Sequence, residues 1–513
     1  MLPRLIQGGM GAGVSGWALA RVVSSLGQLG VVSGTALDTI LVRRLGSGDA
    51  GGHMRRAMAA FPAPDVVTRV LKRYFRPNGV PEDLSPRIPS SGSGSCAPVR
   101  DDGDLDIDPV GQPVEGVADT QQRYKLVPLP SAKLTREREW LLILSNFVEV
   151  SLAREGHDGV VGINYLHKVQ FPTLPSLYGA MLAGVSVVLM GAGIPGDIPH
   201  VLDLLSRNLE ARIFLDVLDA GDQKYEMSFD PSALWAEQLQ CEAPPLHRPR
   251  FLAIVSSATL ARALLKKAPG GIDGFVVEAP ISGGHNAPPR GAPQLSSRGE
   301  PIYGPRDDVD MAQMKALGVP FWLAGGFASR EKLDAALAAG AHGVQVGTVF
   351  AFCDESGLDP DLRRRFLAGL LRGESDVFTD PAASPTSFPF KVARMAGTLS
   401  EHDAYAQRTR LCDLGYLRRA YRKTDGTIGY RCPAEPVGDY VRKGGKAEDT
   451  IGRKCLCNAL LANIGLGQQR SDAHEELPLL TAGNDLDCLR PFISPDKLSY
   501  SAKDVIESLL PSA

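Results

Sequence analysis

At 513 residues the chain is too long for one small core, and a domain of roughly 250–350 residues with additions is expected. Hydrophobic residues make up 44% and charged residues 22%, values that are ordinary for a soluble globular protein. The formal net charge of −3 provides no basic surface field, which argues against nucleic acid as a partner.

The sequence has no marker of a membrane or a secretory route. No apolar run reaches the roughly 20 residues that span a bilayer, and the opening MLPRLIQGG lacks the charged and apolar regions of a secretory signal. We therefore expect a cytoplasmic protein that does not bind membranes. Thiols should stay reduced in that compartment.

The first 33 residues predict a strand, a helix and a second strand. Arg4 to Gln7 forms the first short strand and ends in a glycine-rich loop, Gly8 to Gly13. We expect Ser15 to cap a helix over residues 17–25, and a strand to follow at 31–33. Such a unit implies a parallel sheet. The loop lacks the glycine spacing of a dinucleotide-binding fingerprint.

Two insertions are predicted farther along the chain. From Pro77 to about Gln122 the composition shifts to Pro, Gly, Ser and Asp, which predicts a loop-rich insertion at about 77–134. Helical and strand patterns resume at 135–154 and 160–164. A second insertion is expected at about 209–248, where residues 213–217 and 224–228 can pair as a hairpin before a helix over 232–240.

The main strands fall near residues 5, 31, 161, 187, 253, 275, 322 and 345. Eight βα repeats in one chain favour a closed barrel over an open doubly wound sheet. The predicted fold is therefore an α/β TIM (β/α)8 barrel over residues 1–375. Residues 376–513 are expected to form a mostly helical C-terminal extension, with helices near 403–411, 449–463 and 501–509.

The stretch from Gly318 to Phe350 predicts the last two strands of this barrel. Each strand ends in a loop with glycine, Gly325-Gly326 and Gly347-Thr348, and Ser329 is a candidate cap for the helix between them. Glycine lets backbone N–H groups approach an anion closely. Paired loops of this kind hold a phosphate in many TIM barrels, so we predict a phosphate site here.

The predicted barrel mouth is rich in glycine and poor in acid pairs, a lining that suits a flat hydrogen-bonding cofactor better than a metal. His285, after Gly283-Gly284, is the imidazole that the strand pattern places there. It could remove a proton or hold an anion.

Four cysteines lie toward the C-terminus of the sequence. Cys455 and Cys457 are too close for the usual zinc-binding pair, and Cys412 and Cys432 are isolated singles. Buried free thiols are expected and no metal site is predicted.

Several motifs, in order, resemble the nitronate monooxygenases, once called 2-nitropropane dioxygenases, which are FMN-dependent TIM barrels. They are QGGMGAG near the start, GINY at 162–165, GGHN at 283–286, LAGGF at 323–327 and GVQVGT at 343–348. The resemblance covers roughly residues 4–370. It implies that His285 lies over the flavin as base or anion stabiliser. It also implies an FMN site made by Gly9, Met10, Asn164, Glu278, Gly283, Gly284, Gly325, Gly326, Gln345, Val346, Gly347 and Thr348.

The chain departs from this family in two places. Glu278 stands where family members commonly carry glutamine, and the segment Asn286 to Arg290 lacks the usual His-Arg-Gly. The extension, with CDLGYLR at 412–418, YRCPAEP at 430–436 and RKCLCNALLANIGL at 453–466, resembles a longer subgroup. That subgroup is similar to the PfaD-like flavin enoyl reductases of polyunsaturated fatty acid and polyketide assembly lines.

Three functions follow from the resemblance. The first is FMN-dependent oxidation of alkyl nitronates with O2 to carbonyl compounds and nitrite. The second is reduction of an enoyl thioester on a carrier by NAD(P)H through FMN, with the insertion and the extension supplying the additional binding surfaces. The third is a flavin-binding scaffold subunit without turnover, for which the missing glutamine is the hint. If the protein forms an oligomer, we expect a homodimer.

Overall fold

The computed structural model describes residues 2–80, 122–470 and 475–510. The strands of these ranges are numbered in chain order. They are β1 (Leu5–Gln7), β2 (Leu29–Ser33), β3 (Val161–Leu166), β4 (Val187–Gly191), β5 (Ala211–Leu215), β6 (Val217–Leu218), β7 (Tyr225–Phe229), β8 (Arg250–Val255), β9 (Gly274–Glu278), β10 (Phe321–Ala324), β11 (Gly343–Val346), β12 (Asp376–Asp380), β13 (Phe390–Arg394), β14 (Arg419–Arg422) and β15 (Ile428–Arg431).

The α-helices of the same ranges are numbered in the same way. They are α1 (Trp17–Ser25), α2 (Leu37–Gly46), α3 (His53–Met58), α4 (Pro64–Tyr74), α5 (Arg136–Arg154), α6 (Thr173–Leu182), α7 (Ile198–Ser206), α8 (Pro231–Leu239), α9 (Ala258–Lys267), α10 (Met311–Lys315), α11 (Arg330–Ala338), α12 (Thr348–Ala351), α13 (Pro360–Leu371), α14 (His402–Gln407), α15 (Val437–Arg442), α16 (Leu456–Ala462) and α17 (Ala502–Leu509).

Eight parallel strands close into a barrel in the order β1-β11-β10-β9-β8-β4-β3-β2. The last strand pairs with the first, with Leu5 opposite Val344, and β1 also pairs with β2. Apolar side chains fill the inside, including Ile6, Leu189 and Trp322, which are fully buried. The predicted TIM barrel is confirmed, with all eight strands at the expected places in the chain.

The helices between the strands follow local capping chemistry. Ser329 accepts a hydrogen bond from the backbone N–H of Lys332 and begins α11, as predicted. Thr135 does the same for α5, the 19-residue helix that packs on α6. Helices α3 and α4 are separated at Pro62, and Pro64 is the first residue of α4, where the missing N–H has no partner to lose.

The second insertion contains the predicted hairpin. Strands β5 and β7 pair antiparallel from Ala211–Phe229 to Leu215–Tyr225, and α8 follows. Most of the first insertion, residues 81–121, lies outside the described residues. The described C-terminal end of this insertion packs into the protein at Tyr124, which is fully buried and donates its backbone N–H to the side-chain oxygen of Gln468.

The C-terminal extension contains the predicted helices, in shorter form. It also contains two β-hairpins that the sequence did not predict. Strands β12 and β13 form one hairpin and β14 and β15 the other. Strand β14 also pairs in parallel with β6 of the second insertion, so the two additions share a three-stranded sheet. Where the barrel domain ends, near residue 375, remains a prediction.

The extension is attached to the barrel through a buried polar cluster. Tyr416 donates its hydroxyl to Asp38 on α2 at 2.6 Å and lies 2.7 Å from the Thr39 hydroxyl. Asp38 also forms a buried ion pair with Arg138 on α5. Among the helices of the described ranges, none is long and apolar enough to cross a bilayer.

Candidate active site

The glycine loop after β1 is shaped by Ser15, but not as predicted. Helix α1 begins after Gly16, so Ser15 does not cap it; the Glu149 carboxylate accepts the backbone N–H of Trp17 instead. The buried Ser15 hydroxyl instead donates to the carbonyl of Gly8 and accepts from the backbone N–H of Met10, at 3.0 and 2.9 Å. The expected cap was therefore wrong, because the hydroxyl is used to fold the loop back on itself.

This loop lies directly against β3. A Cβ on Gly9 would stand 2.3 Å from the Cβ of Asn164, so any side chain there would displace one of the two segments. Glycine thus brings the backbone of the first loop beside the side chain of Asn164. The half-buried Asn164 side chain faces the barrel mouth and lines the cavity described next.

One cavity of about 230 Å³ occupies the mouth of the barrel at the carboxyl ends of the strands. Every residue that the sequence assigned to the site lines it. These are Gly9, Met10, Asn164, Glu278, Gly283, Gly284, His285, Gly325, Gly326, Gln345, Val346, Gly347 and Thr348. The parallel register of the barrel explains this convergence, since all these residues end strands or follow them except Asn164, which lies within the second half of β3.

The two glycine loops after β10 and β11 form one side of the cavity. Gly325 and Gly326 have φ values of +92° and +76°, which favour glycine. A Cβ on Gly325 would lie 2.6 Å from the Ser282 hydroxyl. Two buried polar atoms here, the hydroxyl oxygen of Ser282 and Oε1 of Gln345, have no hydrogen-bond partner within the described chain. Unpartnered buried polar atoms around close-fitting backbone are typical of a site that binds a polar group.

Glu278 ends β9 and lines the same cavity. Burial raises the pKa of its carboxyl to about 7, because water is removed from around the charged form. At neutral pH this residue is therefore close to half protonated. A protonated carboxyl can donate a hydrogen bond, as the amide of the family's glutamine can.

His285 is half-buried in the loop after β9. Burial, and next the positive charge of Lys168, lower the pKa of His285 to about 4. The imidazole is therefore neutral at physiological pH. Its Nε2 lies 2.6 Å from the hydroxyl of Ser384, and its ring meets Phe390 edge-on with centroids 4.9 Å apart.

The sequence pattern did not reveal how much of this cavity the extension provides. The contributing residues are Phe390, Leu460, Asn463, Leu480, Thr481, Ala482, Gly483, Asp485 and Cys488. Thr481 accepts a hydrogen bond from the backbone N–H of Gly284, and Gly483 donates one to the Thr348 hydroxyl. These contacts join residues far apart in sequence, and no spacing or periodicity marks them.

The four C-terminal cysteines converge, although their spacing predicted no cluster. Cys412, Cys432, Cys455 and Cys457 line one small cavity within the extension. All four are free thiols; Cys432 and Cys455 are buried, as expected, and the other two are half-buried. Burial raises the pKa of the Cys455 thiol to about 11. In the described ranges, no group of three or more histidine, cysteine or acidic side chains is arranged to hold a metal ion.

A family model and a curated relative match part of the chain, and both are described as nitronate monooxygenase. Residues 245–372 match the family model described as nitronate monooxygenase. A protein from Bacillus subtilis (strain 168), described as a probable nitronate monooxygenase, is 37% identical over 114 residues. Over this part of the chain, the protein is similar to the nitronate monooxygenase family. The alignment with the curated relative covers 22% of this chain and 31% of that protein's length.

The nitronate monooxygenase match contains the site except for Gly9, Met10 and Asn164, and it ends before the extension. Two solved structures resemble the whole chain at 14% identity. FabK from Thermotoga maritima has a TM-score of 0.43 and covers 99% of this chain and 91% of its own. A nitroalkane oxidase from Streptomyces ansochromogenes has a TM-score of 0.42, with 99% and 94% covered.

Proposed function

We propose that this protein is an FMN-dependent nitronate monooxygenase, which oxidises alkyl nitronates with O2 to carbonyl compounds and nitrite. The observation that carries the proposal is the cavity at the barrel mouth. It combines a neutral, half-buried imidazole with two glycine loops suited to a phosphate, and it is lined by every site residue that the family resemblance implies.

The residues present fit a flavin mononucleotide. The loops at Gly325-Gly326 and Gly347-Thr348 would hold the phosphate with their backbone N–H groups. The unpartnered Ser282 hydroxyl could donate a hydrogen bond to the phosphate, and Oε1 of Gln345, which can only accept, could take one from an N–H of the flavin. One carboxylate near Gly326, that of Asp485, is paired with Lys332 at 2.7 Å, so it does not repel an anion as a free charge would.

When bound, the flavin supplies the electron transfer, and the protein supplies position and surroundings. A nitronate is already an anion, so the site needs to orient it and exclude water more than to remove a proton. The neutral His285 ring can donate one hydrogen bond to a nitronate oxygen. Side chains and backbone of the extension, from Phe390 and from Leu480 to Gly483, cover the cavity and reduce the water that reaches it.

The test is anaerobic bleaching of the flavin absorbance of the purified protein. Propyl nitronate is added to one cuvette and NADPH to another. Bleaching by the nitronate alone, followed by nitrite formation once air is admitted, is the expected result. Bleaching by NADPH alone would reject the proposal in favour of the enoyl-thioester reductase. A flavin that neither compound bleaches would reject both activities and leave the scaffold function.

A further inference from the structure

The backbone of the extension fixes the loop that carries His285. His285 and Phe390, at the start of β13, form an antiparallel bridge. On either side of it, the backbone N–H of Lys391 donates to the carbonyl of Gly284, and that of Asn286 donates to the carbonyl of Pro389, both at 2.9 Å. The loop is therefore attached to β13 as a short added strand, and the position of the imidazole depends on the extension.

Ser384 contacts the imidazole ring of His285 directly. It lies in the loop between β12 and β13, it has no exposed surface, and its hydroxyl is 2.6 Å from Nε2 of His285. The same hydroxyl oxygen accepts the backbone N–H of Thr386 at 3.2 Å and lies 2.8 Å from the Thr386 hydroxyl. The other ring nitrogen, Nδ1, makes no hydrogen bond within the described chain.

We propose that Ser384 is a positioning residue that donates its hydroxyl hydrogen to Nε2 and thereby holds His285 as the tautomer protonated at Nδ1. A hydroxyl that already accepts a hydrogen bond from a peptide N–H is polarised and is a better donor. The chain of bonds then runs from the Thr386 N–H through the Ser384 hydroxyl to Nε2. A neutral imidazole has one donor and one acceptor nitrogen, so the proton stays on Nδ1.

This tautomer decides between the two roles considered for His285, base and anion stabiliser. With Nε2 occupied as an acceptor, the ring offers a molecule in the cavity an N–H donor and no free basic nitrogen. His285 then stabilises an anionic oxygen by hydrogen bonding and does not act as the base. The role assigned to the substrate oxygen rests on the proposed function, whereas the tautomer is a property of the protein alone.

The experiment is nitrogen NMR of the flavin-loaded protein with ¹⁵N-labelled histidine, and it needs no substrate. The signal of His285 is assigned as the one missing from His285→Asn. The expected result is a protonated Nδ1 and an unprotonated Nε2 in the wild type. In Ser384→Ala the nitrogen shifts should move toward a mixture of tautomers, and kcat with propyl nitronate should fall about 10-fold with KM little changed.

The matched control is Ser387→Ala, an exposed serine of the same loop, which should change neither the shifts nor kcat. A protonated Nε2 in the wild type would overturn the proposal even if Ser384→Ala failed to fold. Unchanged shifts in a folded Ser384→Ala protein would overturn it equally. If the tautomer is as expected but nitronate does not bleach the flavin, the positioning role stands and the proposed function fails.

Discussion

Two ionisable side chains in the cavity, His285 and Glu278, are both shifted toward their neutral forms. Burial lowers the pKa of the imidazole to about 4 and raises that of the carboxyl to about 7. Between pH 4 and 7 both groups are mostly neutral, so in that range the cavity repels an anionic substrate less than an ionised carboxylate would. This suits binding of a nitronate better than a pair of charged groups would.

Replacing His285 by Asn should keep the flavin bound and lower turnover by about 10²-fold or more, the size usual for a group that acts in proton transfer or anion stabilisation. Asparagine keeps a donor but cannot occupy the same place relative to Ser384. Flavin absorbance per protein and steady-state turnover with propyl nitronate are the measurements. His247→Asn, at an exposed histidine, is the control. Full turnover in His285→Asn would remove this residue from the reaction.

Glu278→Gln should change how stability depends on pH. The folded pKa, about 7, lies above the ordinary value of 4.5, so the folded state holds its proton more tightly than the unfolded state. The free energy of unfolding therefore falls as pH rises from about 4.5 to 7 and stays lower above it. The free energy of unfolding of the variant should not show this fall. Relative to that of the wild type, it should rise by on the order of 2 kcal/mol between pH 5 and 8.

Denaturant unfolding across this pH range measures the difference, with Glu242→Gln, at an exposed position, as the control. Parallel pH curves for the wild type and Glu278→Gln would show that the carboxyl ionises as freely in the folded protein as in the unfolded chain.

At the level of elements, the two glycine loops proposed to hold a phosphate are the part of the site that would bind through backbone alone. Gly347→Val should give a folded protein without flavin. A Cβ at Gly347 would make ordinary contact with the Met10 side chain, 3.7 Å away, so the fold can accept it. The added methyl groups would occupy the space beside Thr348 that the phosphate needs.

Circular dichroism measures whether the variant folds, and the ratio of flavin to protein absorbance measures whether it binds flavin. Gly304→Val is the matched control, since a Cβ there would have no neighbour within 4 Å and Gly304 does not line the cavity. A fully flavinated Gly347→Val protein would contradict the placement of the phosphate.

The elements of the barrel could be predicted because their signals are local. Short apolar runs that stop at glycine mark the strands, and Ser329 marks the start of α11. Helix α2 was missed, since it has no side-chain cap and follows Ala36, a residue with a φ of +58°. Ser15 was misassigned because a serine before a helix is equally able to bond a neighbouring loop, and tertiary contacts decided between the two.

For the whole molecule, the extension and the barrel should unfold together, and Tyr416→Phe tests their attachment. The variant removes a buried hydroxyl that donates to the charged Asp38, a loss of about 1.5–3 kcal/mol in the free energy of unfolding. Chemical denaturation followed by circular dichroism measures it. Tyr225→Phe, whose hydroxyl bonds the exposed side chain of Gln223, should cost less than about 0.5 kcal/mol. Equal costs would mean that Tyr416 does not secure the extension.

The site itself divides into a part that could be predicted and a part that could not. The residues from the barrel follow strand ends, and the closed parallel sheet places all strand ends at one mouth. Ser384, Thr481 and Gly483 reach the cavity from segments with no periodic pattern, through pairings such as that of Lys391 with Gly284. Such contacts depend on the packing of the finished fold, and no local pattern in the sequence predicts them.

The cavity is lined by residues from Gly8 to Cys488, and this order along the chain has a consequence for biosynthesis. A ribosome releases the first glycine loop long before it adds Thr481 to Gly483. During that interval the barrel mouth lacks one of its walls, and a cofactor that entered could leave again freely. Stable loading of the proposed flavin would therefore follow the synthesis of residues 480–488, and a chain truncated ahead of them should be purified colourless.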